Sequence, residues 1–294
     1  MTDTKMAAKQ DARQQQGESW WDLAKTVIYA GLIAVVIRTF LFQPFNIPTG
    51  SMENTLMIGD YLFVEKFSYG YSRYTFPFGG WPFGEEMHGR FLKQEPQRGD
   101  VVVFKYPQDN STDFIKRVIG LPGDRIQMIN DVLYLNGKPV PSERVADYVG
   151  ELDGEMGRWP QYRETLPGGK SYTVIDKYKD GPLDNTELFV VPPGHYFMMG
   201  DNRDNSDDSR EAVGYVPAEN LEGKAEIRFF STDGSAHFWE VWKWPFAVRY
   251  SRILFRGSVG LCHEAGWAIV STRVSISTAT SVSSPSSRLN FSVF

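Results

Sequence analysis

Apolar and polar positions along this chain follow two different patterns. Near the N-terminus the apolar positions are nearly continuous. An uncharged run, residues 26–37, is flanked by Lys25 and Arg38, with Trp20-Trp21 before it and Phe40-Leu41-Phe42 after it. Those 12 uncharged residues are too few to cross a bilayer at 1.5 Å per residue. The segment 20–42 is long enough, provided Lys25 and Arg38 extend their charged heads toward the two interfaces. The tryptophan pair stands where an aromatic belt belongs. The pattern predicts a single transmembrane helix over 20–42. A buried helix of a soluble body and a cleaved secretory signal are the alternatives. The second is disfavoured because no basic residue lies close before Trp20 and no small-x-small site follows Phe42.

Beyond residue 42 the pattern shortens to strands. Segments rich in β-branched and aromatic residues fall at 61–67, 100–106, 114–119, 125–129, 132–135, 188–191 and 196–199. Between them stand turn sequences such as Pro122-Gly123-Asp124, Asn136-Gly137 and Pro192-Pro193-Gly194. No convincing amphipathic helix follows the first segment. The prediction is a mostly β fold: a short tail over 1–19, the helix over 20–42, and a β body over 43–125 and 191–256. The polar, turn-rich stretch 126–190 reads as an inserted subdomain. Residues 257–294 contain ten serines and the only cysteine, and read as an atypical tail outside the fold.

Composition narrows the function. A net charge of −5 and a pI near 5.5 argue against a nucleic-acid binder, which needs a basic face. The lone Cys262 excludes an internal disulfide and a cysteine-rich zinc site, and no two of the four histidines have metal-ligand spacing. Lys5, Lys9, Arg13 and Lys25 lie before or at the start of the apolar segment, whereas 43–65 holds no Lys or Arg. The positive-inside rule then puts the N-terminus in the cytoplasm and the β body outside.

Three constellations could carry chemistry. In Pro48-Thr49-Gly50-Ser51-Met52, a tight turn can expose the Ser51 hydroxyl, while N–H groups and the Thr49 hydroxyl face a developing oxyanion; a polar linker turn is the plain alternative. In Asp113-Phe114-Ile115-Lys116-Arg117-Val118, two-residue alternation puts Lys116 on the face of Phe114 and Val118. Burial there lowers an amine from about 10.4 towards neutrality, fitting it to act as a base; a lysine at a strand edge is the plain reading. Arg117 stays protonated and cannot serve. The loop Gly200-Asp201-Asn202-Arg203-Asp204-Asn205-Ser206-Asp207-Asp208-Ser209-Arg210 fits no EF-hand register, and its alternating charges point to internal ion pairs and Asx turns. Two aromatic runs, 74–83 and 238–246, are either core strands or a surface that dips into a membrane interface.

Together, and in this order behind a membrane segment, these stretches resemble the type I signal (leader) peptidases across about residues 20–230. Asp60 to Lys66 and Arg98 through Asp124 add to the likeness. The resemblance implies a Ser51/Lys116 dyad without histidine: Ser51 attacks the scissile carbonyl, and Lys116 takes its proton and later activates water. It further implies an oxyanion hole from the Ser51 N–H and the Thr49 hydroxyl, Ser206 orienting the Lys116 amine, and Asp208 with Arg210 bracing the loop. The implied substrates are signal peptides of exported preproteins, cut after small-x-small residues. The implied setting is the cytoplasmic (inner) membrane, single-pass, with the catalytic domain on the outer (periplasmic) side. The lipid bilayer and secretion machinery are the implied partners, with no metal, no cofactor and no nucleic acid. The sequence departs from the family in having one span where many Gram-negative relatives have two, and Glu53-Asn54 where Pro is common. The rivals are a relative with a narrow substrate set and a tethered module that binds signal peptides without cutting them.

Overall fold

The structure, a computed structural model, describes residues 20–76, 88–235, 240, 242–253 and 255–256. Helix α1 (Trp20–Phe40) is apolar around its whole circumference and buries none of its residues against the protein. Among the described residues it is the one helix long and apolar enough to cross a bilayer. It stops at Phe40 rather than at 42. The chain turns at Leu41, whose carbonyl accepts the Lys66 N–H at 3.0 Å, and Phe42 already pairs with Glu65. The end of the apolar run is thus a strand, β1 (Phe42–Asn46).

The body is β throughout. β1 pairs antiparallel with β2 (Asp60–Glu65), followed in sequence by β3 (Val101–Lys105) and β4 (Asp113–Gly120). Next in sequence come β5 (Arg125–Ile129), β6 (Val132–Leu135), β7 (Lys138–Pro139), β8 (Ser142–Arg144), β9 (Tyr148–Leu152), β10 (Glu155–Trp159), β11 (Gln161–Thr165) and β12 (Ser171–Ile175). The chain returns through β13 (Phe189–Val190), β14 (His195–Met199) and β15 (Val216–Pro217) to β16 (Leu221–Ser231) and β17 (Phe255–Arg256). The principal sheet runs β1-β2-β16-β3-β4-β14-β15, with β17 also on β16. Smaller sheets, β10-β9, β12-β11-β8 and β13-β5-β6-β7, take up the stretch 125–190.

Predicted strands at 125–129 and 132–135 match β5 and β6 residue for residue, and the others lie within two residues of β2, β3, β4, β13 and β14 at either end. These smaller sheets do not have a core of their own. Ile126, Met128, Leu133, Leu135, Tyr172 and Val174 share one buried cluster with Ile119, Phe197 and Met199 of the principal sheet. A second cluster, around Val102, Phe104, Val118, Tyr196 and Met198, lies within the principal sheet.

The two aromatic runs part ways. Phe76 of the first is buried between Phe40 and Tyr71, with ring centres 6.0 and 5.9 Å away. In the second, Trp242 is 67% exposed and Phe246 88%, so these two side chains are not core packing. Residues 77–83 and 238–239 of these runs lie outside the described residues, as do the tails at 1–19 and 257–294.

Candidate active site

The turn carrying Ser51 is fixed from both sides by apolar plugs. Ile47 before it and Met52 and Leu56 after it are buried with Leu62, Val64, Val101, Val103 and Ala225. Backbone bonds close the turn: Glu53 N–H donates to the Gly50 carbonyl at 2.9 Å, and Leu56 N–H to that of Met52 at 2.7 Å. The Ser51 and Gly50 carbonyls are also held from the 200s loop. Asn202 donates its backbone N–H to Ser51 at 3.1 Å and its side-chain amide to Gly50 at 3.2 Å.

Lys116 comes from the middle of β4, where it pairs with Val102 of β3. Neighbouring residues of a strand point to opposite faces, so Lys116 and Arg117 serve different sites. Lys116 is 3% exposed, its amine 5.5 Å from the centre of the Phe114 ring. Its Nζ lies 2.5 Å from Ser51 Oγ, across 65 residues of sequence. Burial pulls the amine down to about 8, against the opposing pull of Asp208, Asp207 and Asp201. A hydroxyl beside an amine that loses its proton near neutral pH is the pairing that nucleophilic catalysis requires. A groove of about 550 Å³ opens onto the pair. One wall runs from Phe45 to Ser51 and the other from Thr112 to Lys116, with Asn205 and Asp207 completing the lining. Thr49 lines this groove and is exposed.

Ser206 is buried, and its hydroxyl makes no hydrogen bond among the described residues, so the bond to the Lys116 amine that the resemblance implies is not formed here. The Asp208–Arg210 pair is buried and doubly bonded, Arg210 donating through Nε at 3.0 Å and a terminal nitrogen at 2.8 Å. Asp208 also accepts the N–H groups of Gly200 and Arg210 at 3.0 Å, the latter closing an Asx turn. Burial alone raises the Asp208 carboxyl, yet Arg210 and these N–H groups hold it below the usual range. The rest of the loop reaches outward rather than pairing internally: Arg203 forks onto Glu164 of β11 at 2.7 and 2.5 Å.

Asp131, Asp176 and Asp184 bring one oxygen each within 4.8 Å of one another, a metal-like grouping that sequence spacing does not reveal. Burial, then contact with Asp184, lifts Asp131 to about 7. Burial and the neighbouring carboxylates of Asp204 and Asp184 lift Asp176 to about 6. Protons therefore relieve part of this repulsion without any ion.

The sequence profile described as signal peptidase, peptidase S26, matches residues 20–230. The chain belongs to this family. Signal peptidase I of Rickettsia typhi is 47% identical over 209 residues, covering 68% of this chain and 76% of its own length. That of Rickettsia conorii is 42% identical over 233 residues, covering 76% of this chain and 83% of its own. Among solved structures, a signal peptidase I from Enterococcus faecalis V583 is 31% identical and covers 45% of this chain and 97% of its own, with a TM-score of 0.27. The chain is a signal-peptidase-family peptidase whose apolar N-terminal helix suits a membrane anchor.

Sequence reasoning overlooked the network beneath the serine. Arg117, fully buried, donates to Asp201 at 2.8 and 2.5 Å and lies 4.3 Å over the Tyr172 ring. Thr55, four residues past Ser51, donates to the same carboxylate at 2.5 Å. Glu53 accepts from Tyr148 of β9 at 3.0 Å. The signal was available for two of them: Arg117 and Asp201 each lie within a stretch singled out for other residues.

Gly200 is a further constraint. A methyl group there meets Ser206 Oγ and Cβ and the Ser51 carbonyl oxygen closer than 3.0 Å. Gly200→Ala is expected to cost about 1–3 kcal/mol by overpacking. Because the clash is with Ser51 and Ser206, cleavage is expected to fall by a larger factor than stability. Urea melts alongside kcat/KM check this, and equal activity at reduced stability contradicts it.

Proposed function

We propose that this chain is a membrane-anchored serine endopeptidase that removes N-terminal signal peptides from exported preproteins, cutting after small-x-small residues with a Ser51/Lys116 dyad. The observation that carries the reading is the 2.5 Å approach of Lys116 Nζ to Ser51 Oγ at the base of an open groove. Ser51 Oγ attacks the scissile carbonyl carbon while its proton passes to the neutral Lys116 amine. The carbonyl becomes an oxyanion facing the Ser51 N–H and the Thr49 hydroxyl. The C–N bond then breaks, the leaving amine takes the proton from Lys116, and an acyl-serine ester remains. Lys116 next deprotonates a water, whose oxygen attacks the ester and releases Ser51. Ser206, whose buried hydroxyl makes no hydrogen bond among the described residues, is left to orient the amine, and Asp208 with Arg210 brace the loop that carries it.

The lysine excess before α1 favours a cytoplasmic N-terminus in the inner membrane and a catalytic body on the outer, periplasmic side. There it meets preproteins delivered by the secretion machinery. Exposed Trp242 and Phe246 then rest against the bilayer interface, with no nucleic-acid partner.

Lys66 supplies an internal control. It too is buried with its amine pulled down to about 8, but it donates to the Thr75 carbonyl rather than facing a serine. In preprotein cleavage by the detergent-solubilised chain, Ser51→Ala is expected to lose roughly 10³-fold or more. Lys66→Met is expected to retain cleavage in proportion to its folded fraction. Cleavage by Ser51→Ala at the wild-type rate sinks the proposal and favours the tethered binding module.

A further inference from the structure

The groove holds three charged side chains, Lys116, Asp113 and Asp207. Lys116 faces Ser51. Asp113 is already paired, since Lys105, which also lies 3.3 Å from Glu222, donates to it at 2.5 Å. Asp207 is exposed and, among the described residues, makes neither a hydrogen bond nor an ion pair. Its neighbours on both sides, Ser206 and Asp208, are buried. The loop therefore turns this one carboxylate out to the edge of the groove. Whenever Lys116 is neutral, Asp207 supplies the groove's uncompensated charge.

An extended peptide in the groove alternates its side chains. If the first and third residues before the cut point inward, where small side chains fit, the middle residue points the opposite way, toward the exposed edge. We propose that Asp207 is a specificity-determining residue that reads this middle position. Substrates with Lys or Arg there are cut faster than those with Asp or Glu. The proposal rests on the serine peptidase reading above and adds to it a substrate preference. A carboxylate about 5–7 Å from a substrate charge, at the edge of a water-filled groove, attracts a cation and repels an anion enough for about a tenfold difference between the two.

The test uses three peptides identical except for Lys, Gln or Glu at the middle position, cleaved by the full chain in a neutral detergent. With wild type at low ionic strength, kcat/KM is expected to rank Lys over Gln over Glu, with about tenfold between the extremes. The spread is expected to shrink at about 0.5 M salt. Asp207→Asn is expected to bring the Lys/Glu ratio close to one, while Asp113→Asn leaves it as in wild type. A ratio that survives Asp207→Asn, or that vanishes equally with Asp113→Asn, overturns the assignment. Ser51→Ala is run on the same peptides. If it is inactive and the ratio does not respond to Asp207→Asn, charge reading fails while the dyad stands. If it cleaves, the serine reading itself fails and this proposal falls with it.

Discussion

Lys116→Met is expected to reduce kcat/KM by about 10²–10⁴-fold while raising, not lowering, thermal stability at pH 7. Methionine keeps the length of the buried stem and removes the amine that faces Ser51 Oγ. The stability gain follows from the direction of the shift. The folded amine titrates near 8 and the unfolded one near its ordinary 10.5, chiefly because burial disfavours the charged form. Between those values the unfolded chain binds more protons, so stability rises with pH from about 8 to about 10.5. Below about 8 both states are protonated, and the full penalty of the buried ammonium is present. Methionine carries no such penalty.

The same shift sets the activity profile of the wild type. The base works only when neutral, so kcat/KM is expected to fall tenfold per unit below an apparent pKa near 8. The two checks are a pH–rate profile and paired melting curves at pH 7. A profile flat from pH 5 to 9 removes Lys116 as the base. A Met variant less stable than wild type at pH 7 means that the bond to Ser51 outweighs the burial penalty.

Asp201→Ala is expected to be the most damaging substitution to stability, at about 3–5 kcal/mol. Arg117 is fully buried and Asp201 is its only carboxylate partner at salt-bridge distance among the described residues. Removing the carboxylate leaves a guanidinium that cannot deprotonate and has no water to reach. It also releases the Thr55 hydroxyl, which donates to the same group. For a body of this size the expected fall in Tm is on the order of 10 °C. Activity falls with it even in the folded fraction, because the next residue, Asn202, holds the Ser51 carbonyl. The double variant Arg117→Met with Asp201→Ala is expected to recover part of the stability, since no buried charge is then left alone. A single-variant cost under about 1 kcal/mol, by urea or thermal melting, contradicts this account of the pair.

Seven of the seventeen strands, β2 to β6 with β13 and β14, were legible because their apolar positions repeat every two residues between turn sequences, as in β5 and β6 around Asn130-Asp131. The other ten were not, β1 and β16 among them. β1 was absorbed into the apolar helix, since hydropathy alone cannot say where a run changes from helix to strand. β16 is an 11-residue strand between β2 and β3, and none of it was predicted. Its alternating charges Glu222, Lys224, Glu226 and Arg228 make it read as polar loop, although Glu222 is buried. In the fold three of those charges have distant partners: Glu222 with Lys105 at 3.3 Å, Lys224 with Asp100 at 3.4 Å, and Arg228 with Asp60 at 3.6 Å. Such pairing across the sheet leaves no local trace.

The site divides along the same line. Sequence alone determined that an apolar N-terminal helix precedes a β body, and that a serine turn, a lysine strand and a charged loop follow in order. Those are properties of short segments, and hydrophobic period and turn chemistry express them locally. The resemblance singled out Lys116, but no local pattern shows its contact, for Lys66 and Lys116 are both buried and both pulled to about 8. Tertiary structure decides which of the two faces Ser51, through the register of β4 on β3 and the anchoring of the Ser51 turn by Ile47, Met52 and Leu56. Burial depresses an amine wherever it occurs, but bringing that amine to 2.5 Å from a particular hydroxyl depends on strand pairing between segments far apart in the chain.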